Sequence, residues 1–349
     1  MKKNTDQTGF SFCQWEITTA CNMNCAGCRV PQGASEQPRI DIALRSADDL
    51  IVAGITNLEI IGGEPLIYEH LPTLLKYLNQ RKEIRRFAVL TNATMTNKLQ
   101  EIKPELSFEK GGLAVSINYS EEQCKKFIES GTDVAMAKKS LAGWQALREF
   151  GNHCSVRVNC VINSLNIASL PEIARQVINM GGTFSFCPLV YRRQNYDSGL
   201  DFTFRSSTVG LAPTEEHKEA MKEAMAELAM LKKKHPRKII PTEEYMKMSV
   251  EACKDPNEPY KVGCKGKGIP YLRVSSKIGK SLRDGKIAFR LKACSDVEGS
   301  EVSKLVTSDL RDVSIRKKLL LIYQNDPEVI RCNSEERCIW SVTHIREAI

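Results

Sequence analysis

The sequence predicts an α/β fold in which a partial (β/α)6 barrel is followed by a small α+β domain that contains cysteines. Strand-like apolar segments alternate with helix-like segments as far as residue 190. Strands joined by helical crossovers form parallel sheets with the helices outside, and six such units are fewer than the eight of a closed barrel. From about residue 250, spaced cysteines and a predicted hairpin replace this alternation.

The elements of the barrel follow in order along the chain. The predicted strands are Phe10–Thr18, Asn57–Ile61, Phe87–Leu90, Gly112–Ile117, Ser155–Ile162 and Thr183–Leu189. The predicted helices are Asp41–Ala53, Leu71–Arg81, Ser120–Glu129, Val134–Phe150 and Leu170–Asn179. In the second helix, leucines recur at the spacing of one buried helix face. Because strands of such a sheet carry functional residues at their carboxyl ends, we expect the site there.

The pattern divides the chain into three parts. We expect residues 10–195 to form the barrel core, and residues 196–249 to form a linker with an amphipathic helix at Thr214–Leu231. Residues 250–349 are expected to form the cysteine-containing domain. Its predicted elements are the hairpin strands Ile269–Val274 and Lys286–Leu291, which turn near Asp284-Gly285, and a last helix at Leu310–Tyr323.

Composition excludes several classes of protein. The 349 residues are 42% hydrophobic and 26% charged, which is ordinary for a globular protein. No apolar run reaches the length of about 18 residues that a membrane span needs, and the polar start lacks a signal-peptide core. We therefore expect a cytoplasmic protein with no membrane partner. The net charge is +8, and the basic run from Lys232 to Lys238 lacks interleaved aromatic residues, so nucleic acid is not an expected partner.

Thirteen cysteines are the unusual feature of the composition. An odd number of thiols in a reducing compartment favours metal or iron–sulfur ligation over disulfides. Cys21, Cys25 and Cys28 form a C-x3-C-x2-C motif directly after the first strand. Three thiolates can bind three irons of a cubane cluster and leave the fourth iron open. A structural zinc site would need a fourth ligand nearby, and the histidines His70 and His153 are distant in sequence.

This motif resembles that of the radical S-adenosylmethionine (SAM) enzymes. A second motif, Ile-Ile-Gly-Gly-Glu-Pro, follows the second strand and is similar to the GGEP element of that family. The resemblance covers roughly residues 10 to 195. It implies a [4Fe–4S] cluster that is held by the three cysteines and binds SAM at its remaining iron. It also implies that the second motif lies against the methionyl amino group of SAM, through Gly62, Gly63, Glu64 and Pro65.

Shorter matches follow the later strands. Thr91-Asn92-Ala93 resembles the Thr-Asn-Gly of the family, with alanine in place of glycine. The family also places polar residues that contact SAM at the ends of the fourth and fifth strands. This implies cofactor contacts for Asn92, Ser116, Asn118, Asn159 and Asn163, with simple hydrogen bonding at strand ends as the alternative. Gly27 stands where many relatives carry an aromatic residue near adenine.

The resemblance implies a radical reaction. An electron from a donor such as flavodoxin or ferredoxin passes through the cluster to SAM, and the resulting 5′-deoxyadenosyl radical abstracts hydrogen from a substrate C–H bond. We expect an enzyme of the oxidoreductase or transferase type. Cys187, near the carboxyl end of the sixth strand, is a candidate catalytic residue, because a thiol there can donate a hydrogen atom to a substrate radical. Burial in the core is the alternative for this thiol.

Four further cysteines lie in the last part of the chain, and their order around the predicted hairpin is similar to the SPASM and twitch domains of the same family. The resemblance implies a second, auxiliary [4Fe–4S] cluster. The interval from Gly285 to the second of these cysteines is longer than the usual family spacing. Zinc or unrelated buried thiols are the alternatives. The implied ligands are Cys264, Cys294, Cys332 and Cys338.

Two enzymatic functions agree with these features. The first is modification of a ribosomally made peptide by epimerisation or crosslinking, since auxiliary-cluster domains are frequent in such enzymes. The alternative is a dehydrogenase, epimerase or ligase that acts on a small metabolite such as a sugar, aminocyclitol, nucleoside or isoprenoid. The non-enzymatic hypothesis is an iron–sulfur electron carrier, but a carrier has no use for the Gly-Gly-Glu-Pro element.

Overall fold

The computed structural model describes residues 12–25, 37–189, 211–251, 253, 271–275, 289–292 and 306–307. Within them, the six predicted strands form a parallel sheet in the order β6-β5-β4-β3-β2-β1, which confirms the partial-barrel core. The strands are β1 (Phe12–Thr18), β2 (Asn57–Gly62), β3 (Arg86–Thr91), β4 (Gly111–Ser116), β5 (Ser155–Ile162) and β6 (Thr183–Pro188).

Eight helices lie in the described residues: α1 (Ile40–Val52), α2 (Leu71–Gln80), α3 (Thr96–Ile102), α4 (Glu121–Ser130), α5 (Val134–Phe150), α6 (Leu170–Asn179), α7 (Lys218–Lys234) and α8 (Glu243–Glu251). The sequence predicts six of them to within a few residues. It misses α3 and α8. Helix α3 has seven residues and buries only Leu99 and Ile102, which are too few to give a hydrophobic periodicity in the sequence. Helix α8 is short and polar on average.

The sheet continues beyond β1 at its other side. Strand β7 (Tyr271–Ser275) pairs parallel with β1, and β8 (Phe289–Lys292) pairs antiparallel with β7. The two predicted hairpin strands therefore do pair, and β9 (Val306–Thr307) adds to β8. The predicted turn, the last predicted helix and the four C-terminal cysteines lie outside the described residues. The three-part division of the chain stays a prediction.

The two faces of the sheet differ in chemistry. One face carries apolar residues such as Trp15, Ile60 and Val158, which belong to one continuous core with the apolar stripes of the helices. The other face, called the inner face below, carries polar residues, among them Glu59 and Arg157. Parallel sheets buried on both sides are usually apolar on both. The polar inner face is therefore where this fold is suited to hold a ligand.

No helix in the described ranges combines the length and the apolarity needed to cross a bilayer.

Helix α5 packs very closely on the end of β4. A Cβ added at Gly143 would lie 2.5 Å from the carbonyl oxygen of Ser116 and 2.7 Å from Cγ1 of Ile117. One turn earlier, the Ser140 hydroxyl accepts hydrogen bonds from the backbone N–H groups of Asn118 and Tyr119. The absence of a side chain at Gly143 thus lets α5 hold the chain that leaves β4.

The Gly143→Ala variant should be less stable than the wild type by about 1–3 kcal/mol in urea unfolding, because the added methyl group overpacks this contact. Gly131→Ala is a useful control, since nothing lies within 4 Å of its Cβ position and only the φ of +75° is unfavourable, at a cost of roughly 1–2 kcal/mol. Helix propensity alone predicts the opposite, a gain of about 1 kcal/mol for alanine at residue 143. A stabilised Gly143→Ala variant would contradict the packing argument.

Candidate functional site

The loop that follows β2 is held against the end of β1. The Gly63 N–H donates to the Thr18 carbonyl at 2.9 Å, and the Glu64 N–H donates to the Ala20 carbonyl at 2.7 Å. A Cβ at Gly63 would lie 2.1 Å from the Ala20 oxygen, and one at Gly62 would lie 2.6 Å from the Thr18 oxygen. The sequence suggests that these glycines make room for a ligand. In the structure they make room for the backbone of the cysteine-containing loop.

The Glu64 carboxylate joins this loop to the end of β3. One oxygen accepts from the Leu66 N–H at 3.1 Å and the Thr91 hydroxyl at 2.6 Å, and the other accepts from the Asn92 N–H at 2.7 Å. Its side chain is buried, and burial raises the pKa of Glu64 while these hydrogen bonds act in the opposite direction. With three donors converging on it, the carboxylate is a support for the loop rather than a general base.

The chain after β3 completes the connection to the cysteine loop. Asn92 donates its amide N–H to Oδ1 of Asn22 at 2.8 Å, and Asn22 donates to the Thr94 hydroxyl at 2.9 Å. Ala93 has a φ of +60° and is buried. This left-handed conformation explains why the family motif has glycine at the position where this chain has alanine. Together, the chain segments that follow β1, β2 and β3 form one hydrogen-bonded unit, called the strand-end frame below.

The cysteine motif lies only partly within the described residues. Cys21 is half-buried and Cys25 is buried, whereas Cys28 lies outside the described residues. The Met23 N–H donates to the sulfur of Cys21 at 3.4 Å. In the described part of the chain, no three His, Cys, Asp or Glu side chains group as a metal site. The cluster ligand set therefore stays a prediction.

Asn118, after β4, offers a buried donor with no acceptor. Its Oδ1 accepts from the Val161 N–H at 2.6 Å, while its Nδ2 has no hydrogen-bond partner among the described residues, although the residue is fully buried. An unsatisfied buried polar group costs about 1–3 kcal/mol. A bound ligand with an acceptor oxygen at this edge of the sheet would satisfy it. The residues present therefore fit a polar cofactor such as SAM.

The other predicted residues at the β4 and β5 ends divide into two groups. Ser116 and Asn159 lie level with each other in adjacent strands and are half-buried. Asn163 is different, because its Nδ2 donates to the Tyr119 hydroxyl and its Oδ1 accepts from the Leu165 N–H. Its amide holds two loops together, so we leave Asn163 out of the ligand set proposed below.

Cys187 is half-buried on β6, at the level of Val161 on β5. Burial raises the pKa of its thiol to about 12. Five further thiols of the described residues are buried: Cys13, Cys124, Cys154, Cys160 and Cys253.

Sequence reasoning misses one residue of this region. Lys139, half-buried on α5, interacts electrostatically with both Glu64 and Cys187, where its charge partly opposes the rise in pKa that burial causes. It therefore brings a positive charge close to the strand-end frame and to the end of β6. In the sequence, a single lysine in the middle of a helix is typical of a solvated surface residue. The electrostatic effect of Lys139 on the site is therefore not predicted from the sequence.

Comparison with known proteins agrees with these features. Residues 15–177 match the family model of the Radical SAM superfamily. GTP 3′,8-cyclase of Bradyrhizobium diazoefficiens is 28% identical over 179 residues, which are 49% of this chain and 51% of the relative. GTP 3′,8-cyclase 2 of Pseudomonas aeruginosa is 28% identical over 173 residues, 47% of this chain and 50% of the relative. The chain spans about half the length of the curated relatives it matches.

Two solved structures share the fold at low sequence identity. Streptococcus suis SuiB has a TM-score of 0.57 and 14% identity, covering 93% of this chain and 68% of SuiB. Native anSMEcpe with bound AdoMet and Kp18Cys peptide has a TM-score of 0.52 and 12% identity, covering 96% of this chain and 83% of that protein. SuiB has also been solved bound to the precursor peptide SuiA. At these identities the similarity concerns the fold alone.

The Glu64→Gln variant should lose about 1–3 kcal/mol of stability, because either orientation of the glutamine amide sets its NH2 group against a backbone N–H. Thermal and urea unfolding measure the loss. Glu69→Gln, at a largely exposed neighbouring glutamate, is the matched control and should change stability by no more than about 0.5 kcal/mol. Equal stability of the two variants would show that the carboxylate does not hold the frame.

Proposed function

Residues 15–177 form a radical SAM domain, and on that premise we propose that this chain cleaves SAM reductively and modifies a peptide by hydrogen abstraction. The observation that supports this most is the strand-end frame. It connects the cysteine loop, the Gly-Gly-Glu loop and the Asn92 loop through direct hydrogen bonds. Such a frame fixes a cluster and its ligand relative to each other before the reaction begins.

The family implies a [4Fe–4S] cluster and SAM. When bound, they supply one-electron reduction of the sulfonium and thereby a 5′-deoxyadenosyl radical. We propose that Cys21, Cys25 and Cys28 hold the cluster, and that the backbone at Gly62–Pro65 lies along the methionyl group. The Nδ2 donor of Asn118, which has no partner among the described residues, and the Lys139 ammonium are suited to donate to the methionyl carboxylate or the ribose. None of these residues needs to transfer a proton for this chemistry.

Within strands β1–β6, the distribution of charge favours a peptide over a nucleoside triphosphate as the substrate. Arg157 is the only basic residue of β1–β6 that is buried, and it is paired with Glu59. A triphosphate needs several unpaired cations or a metal ion, whereas a peptide backbone needs neutral donors and acceptors. The two structural neighbours above have been solved with peptides bound.

The second candidate is an enzyme that acts on a small metabolite. The curated relatives are GTP 3′,8-cyclases, which favours a nucleotide-type substrate for a chain that matches them over the core. Anaerobic incubation in deuterated water, followed by mass spectrometry of candidate peptides and of nucleotides, distinguishes the two. A mass change or deuterium uptake in a peptide supports the first candidate, and conversion of a nucleotide supports the second.

We further propose that Cys264, Cys294, Cys332 and Cys338 bind an auxiliary [4Fe–4S] cluster, and that a flavodoxin or ferredoxin supplies the electrons.

Replacing Cys21, Cys25 and Cys28 together by alanine should abolish release of 5′-deoxyadenosine from SAM in the presence of dithionite. About four irons per chain should remain if the auxiliary cluster is present, against about eight in the wild type, because each cubane holds four. Iron and sulfide analysis with chromatography of the nucleosides measures both. Cys13→Ala, at a buried core thiol, is the control. Nucleoside release by the triple variant would refute the proposal.

Cys187 is proposed to return a hydrogen atom to the substrate radical in an epimerisation. The S–H bond breaks, a C–H bond forms, and the thiyl radical left behind takes one electron from the low-potential donor and a proton from solvent. With its pKa raised to about 12, the thiol retains its hydrogen at neutral pH.

The Cys187→Ala variant should therefore consume SAM at a rate close to that of the wild type but accumulate no epimerised product, as measured by amino-acid stereochemistry after hydrolysis. Cys160→Ala, at the neighbouring outward thiol on β5, should leave the product yield unchanged. Unchanged product from Cys187→Ala would remove this residue from the mechanism.

A further inference from the structure

An ion pair crosses the inner face of the barrel below the candidate site. Arg157 on β5 donates through Nη2 to Oε1 of Glu59 on β2, and both side chains are almost fully buried. Gln14 on β1 donates to the other oxygen of Glu59 at 2.7 Å. Strands β3 and β4 lie between the two partners, so the arginine side chain must extend across both.

Small residues open the path for this side chain. Strand pairing places Ala88 of β3 level with Glu59, Gly112 of β4 level with Ala88, and Ala114 level with Arg157. All three lack a side chain larger than a methyl group. The inner face is therefore built to let one long side chain lie across it.

The same arginine fixes the amide of Asn159, two residues further along β5. Its Nε donates to Oδ1 of Asn159 at 3.1 Å. Arginine carries only donors, so the atom of the amide that faces it must be the oxygen. The Nδ2 donor is thereby directed away from Arg157, and within the described chain it has no protein acceptor. Ser116 and Ser185 flank Asn159 at the same level of the sheet.

We propose that Arg157, held by Glu59 and Gln14, is a positioning residue that orients Asn159 to donate through Nδ2 to an acceptor atom in the nucleoside part of SAM. This inference rests on the proposed function, because it needs SAM at the carboxyl ends of the strands. A buried ion pair is costly to desolvate, and well-packed apolar residues often replace one without loss of stability. The third contact, to Asn159, gives this pair a role that an apolar replacement cannot fill.

Two single variants and their combination test the proposal on the full-length protein, reconstituted anaerobically with its clusters. Arg157→Lys keeps a positive charge opposite Glu59 but loses the Nε donor to Asn159. Asn159→Ala removes the amide itself. The measurements are the melting temperature and the dissociation constant for SAM by equilibrium dialysis, with KM and kcat for 5′-deoxyadenosine release alongside.

We expect either single variant to weaken SAM binding about tenfold, through KM more than kcat. The double variant should bind SAM no more weakly than Asn159→Ala alone, because both changes remove the same contact. The proposal is overturned if the losses of SAM affinity in the two single variants multiply in the double variant. It is also overturned if Arg157→Lys binds SAM with the dissociation constant of the wild type. A wild-type protein that carries its clusters but binds no SAM would instead overturn the proposed function itself.

A second route covers the case in which Arg157→Lys melts far below the wild type. Asn159→Asp keeps an oxygen for Arg157 to donate to but lacks the Nδ2 donor, so it should keep its melting temperature and lose about tenfold in SAM affinity. Gln14→Met loosens Glu59 without touching the arginine, and should weaken SAM binding about threefold. If both variants bind SAM as the wild type does, the ion pair serves stability alone.

Discussion

The buried carboxylate of Glu64 is the interaction on which the site depends most. It takes hydrogen bonds from its own loop and from the end of the next strand, while the backbone beside it is bonded to the end of β1. A buried carboxylate that accepts from three donors restricts the geometry of the groups around it. The three strand ends are therefore joined to one another by direct contacts between protein groups.

The two faces of the sheet carry side chains of different chemistry. Apolar residues on one face form the core with the helices. The inner face carries polar groups, including the buried ion pair of Glu59 and Arg157. The apolar core and the buried ion pair thus lie on opposite faces of the same six strands, and the candidate site lies at their carboxyl ends, as in other barrels.

Sequence patterns predict the barrel strands and most helices, because hydrophobic periodicity is local. They also identify the two motifs after β1 and β2, whose residues are contiguous. They do not reveal the partners of Glu64, the charge of Lys139 beside it, or the contact between Glu59 and Arg157. Each of these interactions joins residues that lie far apart in the sequence and leaves no local pattern. The C-terminal cysteines lie outside the described residues, so their role stays a prediction.

The most direct measurement is electron–nuclear double resonance on the reduced, anaerobically reconstituted protein with SAM labelled by ¹⁵N in its amino group and ¹⁷O in its carboxylate. If SAM binds to the open iron of the cluster above the strand-end frame, both labels should show hyperfine coupling to the cluster. A reduced cluster whose signal persists without coupling to either label would contradict it.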